Sequence, residues 1–280
     1  MIHDHRICQL GEGALWHPRR QQFFWFDILA GRMLSQDDAG RPLEWRFGRM
    51  ASAAGWIDDH RLLVATDTAL IVMDLRDGAT HAEFPLESDR ADTRSNDGRA
   101  DRQGGFWIGT MGRKAEAGAG AIYRFHRGTI RRLVDGITIP NAICFSPDGR
   151  TAHYADTDRG MVWRQPLDAD GWPVGERQVW LDLSGQGWSP DGAVIDAAGG
   201  FCCAIWGQGA VVRFDAQGRQ THRWDVGGVH SSCPAFGGAD LTQLLVTTAR
   251  DGIDNPDDAQ GKTWRVGAGL SGLPEPQVIL

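Results

Sequence analysis

Six short runs rich in β-branched and aromatic residues return along this chain at nearly even intervals, and they limit the fold more than any other feature. They are FFWFD from Phe23, LLVAT from Leu62, FWIGT from Phe106, AHYAD from Ala152, FCCAI from Phe201 and LLVTT from Leu244. Their starts lie 39 to 49 residues apart, the interval of propeller blades of four strands each. Each run is followed by a turn and a further strand-like segment: GRMLSQ, ALIVMDL, AIYRFH, GMVWRQPL, AVVRFDAQG and KTWRV. Another strand precedes each run across a tight turn, as in AICF, SPDGR, TAHYAD. Helical periodicity is scarce, and Asp-Gly, Gly-Gly and Pro-Asp-Gly turns punctuate the chain. The pattern predicts an all-β, six-bladed β-propeller, with residues 1–280 forming one domain.

Composition removes several function classes. The net charge is −7, which disfavours nucleic acid as a partner. The opening MIHDHRICQL carries charges and no apolar run, unlike a signal peptide, and no stretch approaches a membrane span. The five cysteines are odd in number, two of them adjacent in an apolar run, and no CxxC pair occurs. That predicts reduced, buried thiols in a cytoplasmic protein and no cysteine zinc site. The nine histidines show no metal spacing, and His3 and His5 are expected in a mobile terminus. No GxSxG elbow or Ser-His-Asp set appears, which argues against an ordinary serine esterase. The twelve tryptophans read as blade packing, with Trp188 and Trp206 as exceptions by their nearness to Asp191.

The tetrapeptide Ser-Pro-Asp-Gly occurs twice, at 146–149 and at 189–192. The first copy joins AICF to TAHYAD, so Asp148 is a hairpin-turn residue. The second lies one strand earlier in its blade and enters the strand that lines the channel. Counting back 10 or 11 residues from each run puts Glu12, Asn96, Asn141 and Asp191 at this entry in blades one, three, four and five. Blade two offers Ala51 or Ser52 there, and blade six Cys233 or Pro234. Two carboxylates and two amides meeting at one end of a channel form a hard-oxygen set suited to Ca²⁺, Mg²⁺ or Mn²⁺. Without a cation the two carboxylates would repel, and one would take up a proton.

At these residues the chain resembles the gluconolactonase and regucalcin (senescence marker protein) group of six-bladed propellers. The resemblance is carried by GEGALWHP, RSNDGRADRQGGFWIGTMG, PNAICFSPDG, SPDGAVIDAAG and CPAFGGADLTQLLVTTARDG. It implies that Glu12, Asn141 and Asp191 hold one divalent metal ion, with Asp191 also the general base. It implies that Arg94, Asn96 and Glu116 contact substrate. Ca²⁺, Zn²⁺, Mn²⁺ and Fe²⁺ are all implied as possible ions. FCCAIW in blade five and the GQGW loop before Ser189 depart from the family pattern, and the loop bears on substrate identity.

The function implied is metal-dependent hydrolysis of a sugar-acid lactone, such as gluconolactone, xylonolactone or arabinolactone, to the aldonic acid. A phosphotriesterase-like hydrolase and a calcium-binding protein without turnover stand as alternatives. The expected partner is a small-molecule sugar lactone, with no nucleic acid and no membrane, and the expected state a monomer or weak homo-oligomer.

Overall fold

All six runs fall on the second strand of a four-stranded antiparallel sheet in the computed structural model, which describes residues 1–280. The first strands are Gly11–His17, Ala51–Trp56, Thr93–Ala100, Pro140–Phe145, Ser189–Ile195 and His230–Gly237. Each touches the first strands of both neighbouring blades, so the six close a ring around a central channel. Helix is confined to one turn, Ser184–Gln186, in the loop before Ser189, and no helix is long and apolar enough to cross a membrane.

The ring closes through a strand the sequence did not announce. Ile2–Asp4 pairs with Thr263–Gly267 and supplies the outer edge of blade six. The expectation of a mobile terminus is therefore corrected for His3. Its ring packs edge-on against Trp25 and Phe23, with centroids 5.5 and 5.8 Å away. A three-residue strand gives too weak a periodic signal to be read, and pairing it with the last blade joins the two chain ends.

Apolar side chains pack between adjacent blades, because alternate residues of a strand face opposite neighbours. Leu15, Phe24 and Phe26 of blade one meet Leu62, Val64 and Ile71 of blade two. Trp107 and Ile122 meet Ile143 and Tyr154 in the same way between blades three and four. Cys202 packs toward blade six and its neighbour Cys203 toward blade four; all five cysteines are buried and free. Each interface buries about ten apolar side chains, at roughly 1.5–3 kcal/mol each by transfer from water. No cohesive core therefore needs to fill the axis, which leaves the channel for polar groups.

Candidate metal centre

Every first strand carries a register shift against its second strand near the channel mouth. In five blades two residues face one, as in a β-bulge: Gly13-Ala14, Asn96-Asp97, Ala142-Ile143, Asp191-Gly192 and Ser232-Cys233. A bulge breaks the ladder and re-aims side chains. Gly13 and Ala142 both adopt φ 57°, and a Cβ on Gly13 would lie 2.2 Å from the Ser52 carbonyl oxygen. Ala142 tolerates this φ, so at Gly13 it is the lack of space for a Cβ that requires glycine.

The bulges correct the equal-position reading of the four oxygen-bearing residues. Glu12 and Asn141 are the last paired residues before their bulges; Asn96 and Asp191 lie one step further, inside theirs. All four still line one cavity of about 430 Å³, together with Leu10, Arg94, Met111, Ile139, Thr157 and Trp206. Glu12, Asn96, Asn141 and Asp191 are all buried, whereas Asp148 is exposed in its turn. There it accepts from Ser146 Oγ at 2.6 Å and Arg150 N–H at 3.0 Å.

The amides are oriented by a chain of hydrogen bonds. Thr157 Oγ1 donates to the Pro190 carbonyl at 2.6 Å, so it can only accept from Asn141, whose Nδ2 lies 2.8 Å away. This turns Asn141 Oδ1 the other way, where Asn96 Nδ2 reaches it at 3.0 Å. Asn96 Nδ2 also donates to the Pro140 carbonyl at 3.0 Å, and its Oδ1 accepts from Arg94 Nη1 at 2.8 Å. Arg94 Nη1 further donates to the Ser95 carbonyl at 2.9 Å; its Nε and Nη2 donate to no protein group.

The carboxylates have no such partners. Asp191 Oδ1 is buried without a hydrogen bond, and no side chain donates to Glu12. Burial raises the pKa of Glu12 to about 8, with the negative charge of Asp97 adding to the rise and Arg94 opposing it. Burial likewise pushes Asp191 well above the carboxylate range, helped by Glu12 and Asp97. Burial also lowers the pKa of Arg94, against the pull of Glu12. No three His, Cys, Asp or Glu side chains are arranged so that they alone could hold a metal ion. The donors are two carboxylates and an amide oxygen, with no thiolate or imidazole. An orphaned buried carboxylate oxygen among hard donors fits a divalent cation, which would replace the missing positive charge.

Two expected residues lie elsewhere. Glu116 is exposed on the loop between the second and third strands of blade three, where its Oε2 accepts from Lys114 N–H at 3.0 Å. It does not line the cavity. Trp188 packs against the core between blades four and five. Conversely, Asp97 and Thr157 were missed. Asp97 Oδ2 accepts from the bulged Ile143 N–H at 2.7 Å, and burial raises its pKa to about 6, with Arg99 pulling it back. The sequence places Asn96 at a strand entry, and Asn96-Asp97 is a bulge inside that strand. Its signal was polar and glycine residues where a strand pattern should continue.

The chain is similar to known proteins over nearly its whole length. Residues 10–250 match a family described as the SMP-30/Gluconolactonase/LRE-like region. The L-arabinolactonase of Azospirillum brasilense is 35% identical over 259 residues, covering 89% of this chain and 83% of that protein. The pentonolactonase XacC of Haloferax volcanii is 30% identical over 282 residues, covering 96% and 94%. A crystal structure of regucalcin from Agrobacterium tumefaciens, described as a calcium-binding protein, superposes with a TM-score of 0.97 at 40% identity. It covers all of this chain and 97% of that one.

Proposed function

The chain belongs to the SMP-30/gluconolactonase/LRE-like family, and from that premise we propose that it hydrolyses a sugar-acid lactone with the help of one divalent metal ion. The observation that carries the reading is the buried, unpaired Glu12–Asp191 pair at the floor of an open cavity. Two buried carboxylates without a partner are costly, and they persist here beside a space large enough for a sugar ring. Lactone-cleaving relatives, the arabinolactonase and the pentonolactonase, support the substrate class.

Glu12, Asp191 and the Asn141 amide oxygen would hold the ion, whose identity among Ca²⁺, Zn²⁺, Mn²⁺ and Fe²⁺ the donor set leaves open. When bound, such an ion supplies Lewis-acid polarisation of a carbonyl and a lowered pKa for a nearby water. Asp191 Oδ1, free of any protein donor, is the atom placed to take the proton from an attacking water. Asn96 and Thr157 keep the Asn141 oxygen aimed away from Thr157. Arg94 presents Nε and Nη2 to substrate hydroxyls, a fixed fork suited to neighbouring oxygens. Leu10, Met111, Ile139 and Trp206 give the cavity an apolar side.

The test is acid release from a panel of aldonolactones by metal-stripped protein, with one metal returned at a time. Acid release that appears with a returned ion and disappears on chelation is expected. Absence of turnover with every ion, combined with tight Ca²⁺ binding, would replace the reading with a calcium-binding protein. Hydrolysis of phosphotriesters in preference to all lactones would replace it with the other hydrolase class. Arg94→Ala should keep metal affinity and lower kcat/KM for polyhydroxy lactones by about tenfold or more, the weight of one or two charged hydrogen bonds.

A further inference from the structure

Trp206 ends the second strand of blade five opposite Ser189, two residues before Asp191. Counted from the bulges, this position is held by Asp27 in blade one, opposite Gly11, and by Asp156 in blade four, opposite Pro140. Both aspartates have structural work. Asp27 Oδ1 accepts from Leu10 N–H at 3.1 Å. Asp156 accepts from Thr138 and Ile139 N–H at 3.1 and 3.0 Å. Trp206 does none of this. Its indole N–H donates to no protein group, and its side chain is part of the cavity wall. Met111, opposite Arg94, fills the same position in blade three and lines the cavity too.

One face of the indole is taken by a second ring. His230 stacks on it with centroids 4.1 Å apart and planes 20° from parallel. His230 Nδ1 lies 2.9 Å from the Asp251 carbonyl, which can only accept, so Nδ1 carries the hydrogen and the imidazole is locked. Trp206 also packs against Leu10, Ile28 and Ala249. The cavity thus has a rigid aromatic wall beside a floor of oxygen donors and Arg94. A sugar lactone has the matching division, an apolar C–H face and a rim of hydroxyls.

We propose that Trp206, backed by His230, is the platform that receives the C–H face of the substrate ring and sets the preference for polyhydroxy lactones over unsubstituted ones. The inference rests on the lactonase reading for its substrate class. The experiment compares Trp206→Leu, Trp206→Phe and His230→Leu with the wild type. Trp188→Leu serves as the matched control, since Trp188 lies outside the cavity. Metal-loaded proteins are assayed on gluconolactone and γ-butyrolactone, and binding of gluconolactam, which resists hydrolysis, is measured by calorimetry. Trp206→Leu should raise KM for gluconolactone and Kd for gluconolactam about tenfold, the weight of one aromatic stacking contact with its buried area, with kcat within about threefold of wild type. Trp206→Phe should recover most of the loss, His230→Leu should fall between, Trp188→Leu should match wild type, and γ-butyrolactone should lose less. Wild-type KM and Kd in Trp206→Leu, or equal losses on both lactones, would overturn the platform. If Trp206→Leu fails to fold, judged by circular dichroism, Trp206→Phe and His230→Leu carry the comparison. A wild type that cleaves no lactone yet binds gluconolactam through Trp206 would sink the lactonase reading and leave the platform standing. One that neither cleaves nor binds would sink both.

Discussion

The two ends of the channel are built from the same six strands and treat charge in opposite ways. At the open end, Glu12 and Asp191 are buried with no cationic partner within salt-bridge reach, beneath a cavity of about 430 Å³. At the other end, Arg99 is buried against Glu275, and the remaining void is about 30 Å³. Glu275 belongs to the C-terminal segment, which crosses that face and is pinned from both sides. Trp56 Nε1 donates to its carbonyl at 2.8 Å, and Ile279 N–H donates to the Gly104 carbonyl at 2.8 Å. Burial pulls the Arg99 pKa down, but Glu275, with Cys233, Asp97 and Cys144 adding to it, leaves it raised. Asp97 sits electrostatically between the ends, its pKa raised by burial and drawn back by Arg99. At the closed end the buried charge is paired inside the chain; at the open end it is left unpaired, where we propose that the ion binds.

The contrast breaks most completely at Asp191. Asp191→Ala should abolish ion binding, seen by calorimetry, and reduce turnover beyond a thousandfold. Asp148→Ala, in the exposed copy of the same tetrapeptide, should keep both and cost about 1 kcal/mol from lost turn hydrogen bonds. Loss of the ion in Asp148→Ala alone would mean the blade assignment is wrong.

At the closed end the expected damage is to stability. Arg99→Met leaves Glu275 buried without its partner and should lower unfolding free energy by about 3–5 kcal/mol in denaturant titrations. Arg99→Met combined with Glu275→Met should regain most of that, since an apolar pair of similar volume replaces the ion pair. A double variant no better than the single would show that the C-terminal segment is held by its backbone contacts alone.

A pH series sharpens the difference at the open end. The folded-state pKa of Glu12, about 8, lies above its ordinary value of 4.5, and that of Asp97, about 6, lies above 3.8. Folded, ion-free protein therefore holds more protons than unfolded chain. The stabilisation is complete below the ordinary carboxylate values and is lost as pH rises through about 6 to 8. Melting of chelated protein should fall across that window, and an added divalent ion should restore it most at the alkaline side. A flat profile for chelated protein would mean the carboxylates are neutralised in another way. The smallest effect belongs to Glu116, outside the cavity: Glu116→Ala should change kcat/KM by less than about twofold, and a larger loss would show that its loop reaches the substrate.

The blade repeat was legible because each second strand is a local, apolar, β-rich run bounded by turn residues, and its 39-to-49-residue return is a property of the chain alone. That repeat alone placed Glu12, Asn96, Asn141 and Asp191 at one end of a channel, and separated Asp191 from Asp148. The remainder depends on contacts between residues far apart in the chain. The bulges that offset Asp191 from Glu12 are set by pairing against the second strands. Ile2–Asp4 becomes a strand only because Thr263–Gly267 offers it an edge. Glu275 meets Arg99 across 176 residues, and Trp206, which the sequence set apart together with Trp188, is told from it only by the His230 stack and the cavity. Periodicity is written in neighbouring residues; the aim of a side chain and the pairing of a buried charge are fixed only when the ring closes.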